Sequence, residues 1–62
     1  MTEEERVLWI RTILAMAGTE PQRRAFIDGY NGQDAPMRAS TKMSANYALG
    51  RKVSALLREV QP

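Results

Sequence analysis

The chain contains neither cysteine nor histidine. Disulfides are excluded, and a zinc site would have to be built from carboxylates alone, an unusual ligand set for a structural metal. The nucleophile and base pairs of covalent catalysis are missing with them, and no lysine stands inside an apolar run where desolvation could tune it for chemistry. No apolar run approaches the roughly 20 residues of a membrane span. The opening Met1-Thr2-Glu3-Glu4-Glu5 is acidic where a secretory leader is basic. These absences point to a cytoplasmic protein that is not an enzyme, takes no cofactor, metal or small-molecule substrate, and does not associate with a membrane.

With 62 residues the chain forms one small helical domain, 1–62. A domain of that size buries only about 60% of its unfolded surface. Without disulfide or metal, the remaining staple is self-association, so a homodimer is expected. Net charge is +2, but it is unevenly placed. Residues 1–34 carry four arginines against six carboxylates, a balance of −2. Residues 35–62 carry Arg38, Lys42, Arg51, Lys52 and Arg58 against Glu59 alone, a balance of +4. Such asymmetry suits nucleic acid, an acidic protein partner or a head-to-tail self-contact.

The pattern is all-α, with three helices expected at about 3–17, 20–30 and 41–60. Thr2-Glu3-Glu4-Glu5 is a capping box, and its carboxylates favour the positive end of a helix dipole. Val7, Ile10, Leu14 and Ala17 repeat at helical spacing beside a second stripe of Trp9, Ile13 and Met16, an arc wide enough for two partners. Gly18 reads as a C′ glycine, and Thr19-Glu20-Pro21-Gln22 opens the next helix with a second capping box. Ala25, Phe26, Gly29 and Tyr30 share a face of that helix, which Gly29, Asn31 and Gly32 end. Ser40 or Thr41 caps the third, whose stripe of Met43, Tyr47, Gly50, Val53, Leu57 and Val60 runs about 30 Å. Two glycine-tyrosine pairings, at 29–30 and 47–50, suggest a helix-loop-helix hairpin with its backbones in close approach.

Gln22, Arg23 and Arg24 behind the Gly18 turn could serve a helix-turn-helix, since glutamine and arginine suit base edges and phosphates. Against this, Glu20 stands beside them in an acidic half, and short glycine turns between helices are far commoner than DNA readers. Arg38, Lys42, Arg51 and Lys52, with Tyr47 interleaved, could contact RNA phosphates and bases, although a solvated helix face accounts for the same charges. Trp9 fits a core or a dimer interface, and would be a binding hot spot if exposed. Met37, beside Pro36 in the loop, is an apolar residue with little reason to be there unless it packs under the loop or meets a partner.

Ala25-Phe26-Ile27-Asp28-Gly29-Tyr30, Pro36-Met37 and Tyr47-Ala48-Leu49-Gly50-Arg51 together resemble ribosome modulation factor and related small phage or prophage proteins. The similarity covers residues 24–54. It implies a helix-loop-helix unit and association with the ribosome or RNA. Met37 and Arg51 stand where that family places aromatics.

The apolar surplus without catalytic chemistry leads to a small non-enzymatic regulatory protein, phage-encoded if the resemblance holds, that binds and inhibits or modulates a larger cellular protein. Trp9, Tyr30, Met37, Tyr47 and Arg51 are the expected contact residues, with aromatics as anchors and arginine at the rim. The alternative is nucleic-acid binding, as a helix-turn-helix DNA regulator through Gln22, Arg23 and Arg24 or a ribosome-associated factor through Arg38, Lys42, Arg51 and Lys52. A dimer would use the first helix and the end of the last.

Overall fold

Three helices, α1 (Glu3–Met16), α2 (Glu20–Tyr30) and α3 (Thr41–Val60), make up the computed structural model, which describes residues 1–60. Each begins where a polar side chain satisfies free amides at its first turn. The Glu5 N–H donates to Thr2 Oγ1 at 3.1 Å, the Thr19 N–H to Gln22 Oε1 at 3.1 Å, and the Met43 N–H to Ser40 Oγ at 3.2 Å. Ser40 is thus the cap of α3.

α2 ends in a Schellman motif. Gly32 takes φ 75°, the Gly32 N–H donates to Gly29 O at 3.3 Å and the Gln33 N–H to Asp28 O at 2.9 Å. The Gly18 turn is built differently from expectation, because Gly32 is the one glycine with positive φ among the described residues. A β-carbon at Gly18 would instead run into Gln22 Oε1, the atom that caps α2. Space for that amide is what the position needs.

α2 and α3 form the tightest pair, and glycine is the reason. A β-carbon at Gly29 would collide with the Tyr47 carbonyl, and one at Gly50 would meet the Phe26 carbonyl and lie 2.8 Å from the Tyr30 nitrogen. Each glycine thus seats the backbone of the other helix. Asn46 Nδ2 donates to Gln22 O at 3.1 Å, Gly50 abuts Phe26, and Tyr30 shares a groove with Ser54 and Arg58. With Gly29 against Tyr47, these contacts place the close crossing of α2 and α3 at residues 26–30 and 46–50.

α1 lies against this pair, antiparallel to α3: Glu4 shares a groove with Glu59, and Leu14 shares one with Lys42. The core is small. Ala15, Phe26, Leu49 and Val53 are buried together, with Leu8, Trp9 and Leu57 packed half-buried against them. Neither stripe expected on α1 is the core face as a unit, since Leu8 and Ala15 join Trp9 inward while Val7, Ile10, Ile13 and Leu14 are exposed. On α3 the seam runs through Leu49 as well as Gly50 and Val53, and Val60 is exposed.

Candidate functional site

The five expected contact residues separate into three environments. Trp9 is half-buried and packs on the core. Tyr47 is half-buried, and its hydroxyl donates to Gln33 O at 2.6 Å. Since the Gln33 N–H is held by Asp28 O, residue 33 is fixed from both sides, and Tyr47 fastens the inter-helix segment to α3. These two aromatics have intramolecular work.

Tyr30 and Arg51 are brought together and face outward. They line a groove of about 220 Å³ with Gly32, Ser54 and Arg58, at the C-terminal end of α2. Tyr30 retains 39% exposure there. Arg51, Ser54 and Arg58 follow one another at three- and four-residue steps, which puts them on one flank of α3. Arg58 was absent from the expected site and could have been found from that spacing. It sits one helical face-repeat beyond Arg51.

Met37 is fully exposed, at 101%. Its neighbours Pro36 and Ala39 are half-buried. The segment thus turns some side chains inward and holds one long apolar side chain out, next to an anchor at Gln33.

The residues of the helix-turn-helix alternative are engaged within the chain. Gln22 gives its side-chain oxygen to the Thr19 cap and its carbonyl to Asn46. Arg23 Nη1 donates to Gly18 O at 2.9 Å, and Arg24 lies 3.7 Å from Asp28 in an ion pair one turn along α2. By contrast Arg38, Lys42, Arg51, Lys52 and Arg58 are exposed, and no ion pair among the described residues involves them. No polar or charged side chain is buried among the described residues, and no helix among them is long and apolar enough to cross a membrane.

No known protein family, curated protein or solved structure matches this chain. The site must be read from its own geometry.

Proposed function

We propose that this chain is a small non-enzymatic regulatory protein that binds a larger cellular protein and inhibits or modulates it. The observation that carries the reading is Met37, wholly exposed on a segment pinned through Gln33. Anchoring the segment's backbone at Gln33 lowers the ordering cost of binding there, and such preorganisation gains affinity. Tyr30 supplies a half-exposed aromatic nearby in the chain, and Arg51 and Arg58 supply a polar rim beside it. Trp9 and Tyr47 contribute indirectly, by supporting the core and the segment.

Capture from a bacterial lysate tests this with wild type, Met37→Ala and Tyr30→Ala. Loss of the same partner by either variant is expected. Equal recovery by all three counts against the site.

A second reading, association with RNA, is supported by the exposed Tyr30 ring beside Arg51 and Arg58 and by the further exposed cations Arg38, Lys42 and Lys52, which form no ion pair among the described residues. The similarity of residues 24–54 to ribosome modulation factor proteins belongs with it. Phosphate contacts weaken steeply between low and moderate salt, whereas an apolar-anchored protein contact changes little. Failure to bind RNA or heparin at low salt sinks this second reading.

A further inference from the structure

The outward face of α1 is apolar, and the core does not use it. Val7, Ile10, Ile13 and Leu14 are 40%, 52%, 68% and 66% exposed, on the side of the helix away from Leu8 and Ala15. At 100° per residue Ile10 is the centre of that face, and it is also close to the midpoint of Glu3–Met16 along the axis. Charge divides the two ends. Glu3, Glu4 and Glu5 occupy the first turn, Glu3 is ion-paired with Arg6, and the groove between Glu4 and Glu59 also holds Arg11 and Lys52. The last turn has no basic residue of its own, but Arg23 reaches Gly18 O just beyond it, beside Glu20, and Arg11 and Lys42 line the groove beside Leu14.

We propose that a second copy of this chain covers this face, with the two α1 helices antiparallel about a two-fold axis through Ile10. Such an axis places residue n opposite residue 20 − n, so Val7 of each copy meets Ile13 of the other and Ile10 meets itself. The acidic first turn of each copy then lies beside the other's Gly18 turn, where Arg23 stands. A parallel arrangement would set the three glutamates of one first turn beside those of the other, a repulsion the antiparallel arrangement avoids. The same contact answers the shortage of core: of the buried hydrophobic side chains Ala15, Ala25, Phe26, Leu49 and Val53, two are only methyl groups. A stable interface takes about 800 Å² from each partner. That is about a sixth of the 4865 Å² the chain exposes.

The absence of cysteine makes the test clean. Ile10→Cys should oxidise to a covalent dimer, because the axis brings that position against its own copy. Val7→Cys alone should cross-link poorly, and an equal mixture of Val7→Cys with Ile13→Cys should cross-link well. Sedimentation should give wild type twice the 7.0 kDa chain mass, and Ile13→Lys the single mass over about 10 μM to 1 mM, with far-UV circular dichroism confirming that the variant remains helical. A wild type that stays at single mass throughout that range overturns the proposal. So does cross-linking through Val7→Cys that equals or exceeds that through Ile10→Cys. If wild type is monomeric and Ile13→Lys abolishes capture of a different protein, the face belongs to that protein instead. Dimerisation read this way is independent of Met37, so its failure leaves the partner-binding reading standing.

Discussion

Gly50 stands where α3 touches the backbone of α2: a β-carbon there would strike the Phe26 carbonyl oxygen. The obstacle is main chain, which no rotamer change can move aside. Gly50→Ala should therefore separate α2 from α3 and destabilise the fold by about 1–3 kcal/mol. In an open helix the same change would instead stabilise by up to about 1 kcal/mol. Urea denaturation decides between these signs, and a Gly50→Ala variant more stable than wild type would show that the close crossing is wrong.

Phe26 is the one large aromatic in the buried core, 6% exposed between Ala15, Leu49 and Val53. Phe26→Ala should cost about 3–5 kcal/mol. A chain of this length has a total stability of about 3–9 kcal/mol on typical per-residue values. Loss of cooperative thermal unfolding is thus expected, and a melting curve like that of wild type would relocate the core.

The Tyr47 hydroxyl is the link between α3 and Gln33. Tyr47→Phe keeps the ring and removes the donor, so global stability should fall by no more than about 0.5–1.5 kcal/mol. Hydrogen exchange should report faster opening at residues 31–40 while α3 keeps its protection. Unchanged exchange in that segment would mean that Tyr47 does not fasten it.

Met37 touches little, so Met37→Ala should leave the unfolding midpoint unchanged within about 0.5 kcal/mol. Partner capture should fall sharply in the same variant. Destabilisation without loss of capture would assign Met37 a packing role.

Gly32 adopts the left-handed conformation with nothing near its absent β-carbon. Gly32→Ala should cost about 1–2 kcal/mol through backbone strain alone. Gly32→Asn should recover part of it, because asparagine tolerates that region. Calorimetry on the three chains tests the order, which fails if alanine proves the better replacement.

Helix positions were legible because their signals are local. Thr2, Gln22 and Ser40 cap within three residues of themselves, and α2 ends with the Gly32 N–H on Gly29 O and the Gln33 N–H on Asp28 O. The close approach at Gly29 and Gly50 was legible too, since glycine at a buried helix position has few other uses. The face that α1 presents to the core was not. Trp9, Ile13 and Met16 compete with Val7, Ile10 and Leu14 on hydropathy alone, and Leu8 and Ala15 won because they fit the surface that α2 and α3 leave. Exposure of the proposed contact residues was not legible for the same reason. Tyr30, Met37 and Arg51 are exposed, whereas Trp9 and Tyr47 were drawn into the structure by neighbours distant in the chain.

The sequence by itself determined three helices, their ends and an excess of apolar surface, because caps, periodicity and composition act over a few residues. Only the tertiary structure decided that Tyr47 fastens Gln33, that Arg58 joins Arg51 beside Tyr30, and that the unused apolar face belongs to α1. Those outcomes depend on which surfaces fit at close range, and two bare glycine backbones set that fit.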